Sequence, residues 1–232
     1  VTTVGWRLAC ALALSLAGVG TGAVAQVAPT VVETAQYQGV QQAAWRGDVP
    51  RLKAFIAAGA DLEMRDAHGR TAVHIATFAR QGDALRVLAK AGASLDRLED
   101  DRYDAVTIAS VADDVPTLGV LLSLGASARQ TTSRYDGTAL IAAAHLGHDE
   151  VVRRLIAADA PLDHVNNLHW TALIESIVLG AGGPRHQRTL AALLSAGAST
   201  VLTDRQGNTP LQLAKSRGYT AMVEQLKAAG AK

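Results

Sequence analysis

A pair of small residues, Gly-Ala, returns along this chain at a nearly constant interval. It stands at Gly59-Ala60, Gly92-Ala93, Gly125-Ala126, Gly197-Ala198 and Gly230-Ala231, with Asp159-Ala160 in the fourth place. Successive gaps are 33, 33, 34, 38 and 33 residues. A fixed period of this length means stacked supersecondary units, none of which can bury its apolar face alone. A second pattern keeps step with the first. Thr71-Ala72-Val73-His74-Ile75-Ala76 returns as Thr138-Ala139-Leu140-Ile141-Ala142, as Thr171-Ala172-Leu173-Ile174, and as Thr209-Pro210-Leu211-Gln212-Leu213-Ala214.

Each unit reads as two helices. The Thr stands where the first helix begins, its hydroxyl able to accept from free N–H groups of the opening turn. Ala-rich runs such as Ala142-Ala143-Ala144 allow neighbouring units to approach closely. Gly47, Gly147, Gly180 and Gly218 lie where that helix should stop. The second helix carries large apolar residues at three- and four-residue spacing, as in Leu52, Phe55 and Ile56 or Leu118, Leu121 and Leu122, which marks one buried face. The Gly of each Gly-Ala pair then closes it in the left-handed conformation, and Asp159 is among the few other residues that tolerate that role. A short turn such as Arg65-Asp66-Ala67-His68-Gly69 leads to the next Thr.

The final copy, Thr209 to Ala214, is one residue short of the Thr-Pro-Leu-His-x-Ala signature, and the chain resembles an ankyrin-repeat protein from about Gln36 to Lys232. The resemblance implies an all-α solenoid of about six helix–turn–helix units with finger-like β-turns, at approximately 36–69, 70–102, 103–136, 137–169, 170–207 and 208–232. It also implies that Thr71 and His74 tie their turn together. The third unit has Asp104-Ala105-Val106-Thr107 instead, so that tie is absent and Asp104 is left to cap the helix. Polar Gln41 and Gln42 in the first unit and the mixed last helix, Ala221 to Lys227, suit end caps. The fifth unit has an irregular insertion, Gly180 to His186, expected to be a loop.

Residues 1–25 read as a secretory signal. Arg7 is their one charge, Leu8 to Val19 is apolar, and Ala23-Val24-Ala25 precedes Gln26 as a small-x-small cleavage site. An uncleaved inner-membrane anchor is the alternative. The expected location is the bacterial periplasm, with 26–35 as a linker and no membrane span in the mature chain. Cleavage removes Cys10, the one cysteine, so the mature chain would have no disulfide or thiolate site. A net charge of +1 argues against nucleic-acid binding, which shows as a basic face or tail.

Chemistry-bearing motifs are absent. The seven histidines contain no His-Glu-x-x-His motif, and repeat logic accounts for His74 and His148, so no metal is expected. The glycines at 180–183 lack the Lys-Ser/Thr of a phosphate cradle. No nucleophile elbow occurs, and Glu99, Asp100 and Asp101 read as a solvated finger tip. Neither a catalytic centre nor a cofactor is expected.

Function should therefore sit at positions the repeat does not constrain. In the family that the chain resembles, partners lie on the concave face, built from finger tips and the exposed side of the first helices. By register that face includes Arg70, Phe78, Tyr103, Arg134, Tyr135, His145, Trp170, Val178, Leu179 and Arg205, with Gly182, Pro184, Arg185 and His186 as a candidate contact loop. Tyr, Trp and Arg are the residue types enriched at binding hot spots. The expected function is non-enzymatic protein binding by a monomer. The alternative is a chaperone- or inhibitor-like factor for one exported enzyme.

Overall fold

A computed structural model describes residues 26–232; the expected signal at 1–25 lies outside the described residues. The chain folds into six helical pairs stacked in sequence order. They are α2 (Gly39–Arg46) with α3 (Val49–Ala57), α4 (Ala72–Phe78) with α5 (Gly82–Lys90), and α6 (Ala105–Val111) with α7 (Val115–Ser123). Next come α8 (Ala139–Leu146) with α9 (Asp149–Ala157), α10 (Ala172–Val178) with α11 (Pro184–Ser195), and α12 (Pro210–Ser216) with α13 (Thr220–Ala228). First helices stack on first helices and second helices on second helices. One finger closes as a two-residue antiparallel ladder, β1 (Thr131–Thr132) with β2 (Gly137–Thr138).

The core follows the composition of each layer. First helices contribute Ala44, Ala76, Ala109, Ala144 and Ala214, all almost fully buried, and their small size lets the layer pack closely. Second helices contribute Leu52, Leu85, Leu88, Leu118, Leu121, Leu155, Leu190 and Leu193. Burying each such leucine is worth about 2 kcal/mol, so the interfaces between units hold the stack together. The last helix buries only Met222 and Leu226, as an end cap should.

Caps fall where the sequence puts them. Thr71 and His74 form the expected tie: the Thr71 N–H donates to His74 Nδ1 at 3.0 Å, and His74 Nε2 lies 2.9 Å from the Arg97 carbonyl of the next finger. Nδ1 must therefore be the accepting nitrogen and Nε2 the donor. Burial supports this neutral state, pushing the His74 pKa down to about 4. Asp104 caps α6 by accepting from the Thr107 N–H at 2.7 Å. Asp159 takes the left-handed conformation with φ 63°.

Two expectations change. Residues 26–35, expected as a linker, contain α1 (Val31–Gln36), opened by a capping box between Thr30 and Glu33. The insertion in the fifth unit is a loop only over residues 180–183: Pro184 opens α11, whose 12 residues compare with nine in the other second helices. Pro184, Arg185 and His186 thus lie on a helical turn, since Pro at a first helical position is preorganised for it. Helix α10 closes at Leu179, beside Gly180 as expected, although Gly180 itself is not left-handed. A side chain at Gly180 would instead come within 2.0 Å of the Ser176 carbonyl, so Gly is required there by close approach.

Candidate functional site

Three fingers are built around one side chain five residues before the threonine that caps the next first helix. Asp66 Oδ1 accepts from the N–H groups of His68 and Arg70, and Asp204 Oδ1 accepts from those of Gln206 and Asn208. Asn166 does the same for Leu168 and Trp170, at 3.0 and 2.9 Å. An Asp leaves its second oxygen to accept another bond. An Asn leaves an NH2 group to donate one.

That difference shapes the centre of the molecule. The Asn166 amide donates at 2.8 Å to Oε1 of Glu175, a buried carboxylate on α10. Glu175 Oε2 lies 3.6 Å from His145 Nδ1 on α8. Burial pushes the Glu175 pKa up to about 7, against the opposing pull of Asn166. His145 is shifted down, first by burial and then by its neighbours His186 and His148.

Above Glu175 opens a pocket of about 420 Å³. Tyr103, Tyr135 and Trp170 line it from three successive fingers, with Val111, Leu146 and Leu179 from the ends of three first helices. Gln26, the first described residue, also lines it. The Gln26 amide nitrogen is buried there without a hydrogen-bond partner.

The structure thus brings together five of the residues expected on the contact face: Tyr103, Tyr135, His145, Trp170 and Leu179. Phe78 and Val178 sit half-buried at the ends of their helices, outside this pocket. Arg134 and Arg205 are exposed but serve as ties between fingers. Arg134 pairs with Asp101 at 2.9 Å, and Arg205 donates to the Asn167 carbonyl. Asp100 likewise pairs with Arg65 at 3.3 Å, so two of the three acids at 99–101 are finger-to-finger struts.

Arg70 is not a contact residue. Its side chain is 1% exposed, with Nε 2.7 Å from Asp66 and Nη2 2.5 Å from Glu33. Nη1 donates to the Val27 carbonyl at 3.2 Å, and the Tyr37 hydroxyl donates to the same Asp66 oxygen at 2.9 Å. The segment before the first unit has folded over Arg70 and covered it. The Glu33 carboxyl is held down at about 2 by hydrogen bonds from Thr30, with Arg70 adding to the effect.

Of the residues at 182–186, Gly182 and His186 are half-buried against the protein, while Pro184 and Arg185 are exposed. His186 Nε2 lies 2.9 Å from the His145 carbonyl, and Arg185 reaches Asp113 at 2.6 Å. Arg188 pairs with Asp149 at 2.9 Å, which lowers the Asp149 pKa. A side chain at Gly182 would collide with the ring of Tyr219, whose hydroxyl donates to the Gly180 carbonyl. These contacts dock the longer α11 onto the preceding units.

Sequence reasoning missed Glu175. Its register position holds Ile75, Ile108, Ala142 and Leu213 in other units, so an acid there was a readable anomaly. Among the described residues no group of three His, Asp, Glu or Cys side chains could hold a metal ion, and no helix is long and apolar enough to cross a membrane.

Known proteins share this architecture. The family model described as ankyrin repeats (3 copies) matches residues 113–204. The putative ankyrin repeat protein YahD of Escherichia coli (strain K12) is 34% identical over 190 residues, spanning 82% of this chain and 94% of that protein. The crystal structure of an ankyrin repeat domain from Acinetobacter baumannii AYE matches with TM-score 0.78 at 40% identity, over 83% of this chain and 98% of that one. A structure of the Bdellovibrio bacteriovorus predatory endopeptidase Bd0816 in complex with immunity protein Bd3460 also matches. Its TM-score is 0.64 at 21% identity, over 83% of this chain and 98% of that one, a likeness of fold alone.

Proposed function

Because the chain belongs to the ankyrin repeat family, whose members are protein–protein interaction modules, we propose that it binds a protein partner on the concave face formed by its fingers and first helices, with no enzymatic activity of its own. The observation that carries this reading is the convergence of Tyr103, Tyr135 and Trp170 from three consecutive fingers around one pocket. A solenoid face serving only as surface has no reason to gather its aromatics, and clustered Tyr and Trp are what binding hot spots use. Stacked units tied finger to finger keep the face preformed, so little ordering entropy is lost on binding.

Trp170→Ala is the test. It should weaken capture of the partner at least tenfold, about 1.4 kcal/mol, while the helical circular-dichroism spectrum stays intact. Collapse of the spectrum would assign Trp170 to the core, and unchanged capture would remove the pocket from the interface.

The proposal places the chain in the bacterial periplasm, and its support is the composition of residues 1–25 alone. Cell fractionation with N-terminal sequencing decides it. A soluble periplasmic chain beginning at Gln26 is expected; a full-length chain in the inner-membrane fraction selects the uncleaved anchor. Sedimentation should show a monomer.

A second reading is a protective factor for one exported enzyme. It is motivated by the fold shared with a structure in which an endopeptidase is complexed with an immunity protein. Capture of a single enzyme, at one-to-one stoichiometry and with its activity altered, selects this reading over a general scaffold.

A further inference from the structure

The pocket has a chemical bias that its aromatic rim does not explain. No lysine or arginine lines it, and its one acid, Glu175, lies at the base. Glu175 is tethered on one oxygen by Asn166 at 2.8 Å, which fixes the carboxyl without neutralising it. The other oxygen takes no hydrogen bond among the described residues; His145 Nδ1 stands 3.6 Å away. A buried carboxylate lacking a full partner is costly, and an entering cation would relieve that cost. Tyr103, Tyr135 and Trp170 line the same pocket, and aromatic side chains of this kind attract a desolvated cation.

We propose that this pocket receives a lysine or arginine side chain of the protein partner, with the Glu175 carboxylate as counter-ion and the three aromatic side chains around its aliphatic stem. The assignment rests on reading this face as the partner surface. A long basic side chain fits both halves of the lining, since its methylene stem packs on apolar walls while its head seeks the acid. Gln26 does not stand in the way. Its buried amide nitrogen has no partner, so displacement into water by an incoming side chain sacrifices no hydrogen bond.

The experiment is an NMR titration of the whole protein, read at the Trp170 indole N–H, with three capped tripeptides of the form Gly-X-Gly where X is lysine, arginine or norleucine. Lysine or arginine peptide should bind saturably and at least tenfold more tightly than the norleucine peptide, which has the stem and no charge. Glu175→Gln keeps the acceptor for Asn166 and should abolish that tenfold preference. Equal binding of charged and neutral peptides overturns the proposal, as does a Glu175→Gln variant indistinguishable from wild type. Butylammonium, run alongside, should bind more weakly than the lysine peptide. Equal binding would make this a site for a free amine and overturn its assignment to a protein side chain. Partner capture separates this inference from the one beneath it. If Trp170→Ala loses the partner and Glu175→Gln holds it at wild-type affinity, the cation site falls and the surface stands. If neither variant affects capture, both fall.

Discussion

Arg70 and Trp170 occupy the same place in their units, the residue before the threonine that opens a first helix, yet they have opposite surroundings. Around Arg70 the finger is closed. Asp66 below it is an aspartate with an oxygen to spare, Glu33 reaches in from α1, and the guanidinium is buried between them. Around Trp170 the finger is open. Asn166 replaces the aspartate, its spare amide turns to Glu175, and the indole is left half-exposed on a pocket wall. One register position thus serves as a sealed joint at one end of the solenoid and as the wall of an open pocket at its centre. What decides between them is the partner of the finger residue and whether another segment covers it. The repeat motif itself decides neither.

The difference can be broken at either end, and the largest effect should come from the closed finger. Arg70→Ala strands Asp66 and Glu33 without their cation and should cost about 3 kcal/mol in urea unfolding, since removing one member of a buried ion pair leaves a charge uncompensated. A loss below about 1 kcal/mol would mean that the α1 segment is not held there.

Glu175→Gln should act in the other direction, and only at higher pH. The folded pKa of about 7 lies above the ordinary glutamate value, so the native state holds a proton that the unfolded chain releases. Wild-type stability from this group is therefore present at pH 4.5 and is lost as pH rises through 7. The Gln variant escapes that loss. The two should match near pH 4.5, and the variant should be more stable by up to about 3 kcal/mol at pH 8. A gain that ignores pH would show that Glu175 is not the titrating group.

How much of this was legible follows from the same two fingers. Thr71, His74 and the Gly-Ala pairs announce the fold because capping and left-handed turns are local, and local chemistry can be read from neighbouring letters. The pocket residues Tyr103, Tyr135 and Trp170 were legible too, as large side chains that the repeat has no use for. Arg70 misled because its burial depends on a segment more than thirty residues earlier. Even so, Thr30 and Glu33 have the spacing of a capping box, a readable sign that the supposed linker is ordered. Pro184 could likewise have announced the start of α11. The Asn166–Glu175 bond required both the register and the observation that each residue departs from its counterparts in other units.

Smaller effects sharpen the comparison. Trp170→Ala removes a half-exposed ring and should cost about 1.5 kcal/mol of stability in urea unfolding, well below the three or more expected for a fully buried tryptophan. Arg134→Ala cuts a finger-to-finger ion pair whose arginine is 53% exposed and should cost no more than about 0.5 kcal/mol. A larger loss there would show that the struts between fingers, and not only the stacked helices, hold the face in shape.

The most direct test sets the two fingers against each other in binding. The partner captured by the wild-type protein is titrated calorimetrically against Arg70→Ala and Trp170→Ala, each checked for its helical spectrum. The open-finger account predicts that Arg70→Ala, though less stable, binds within twofold of wild type, while Trp170→Ala loses at least tenfold. Full affinity in Trp170→Ala, with the loss falling on Arg70→Ala, would contradict it.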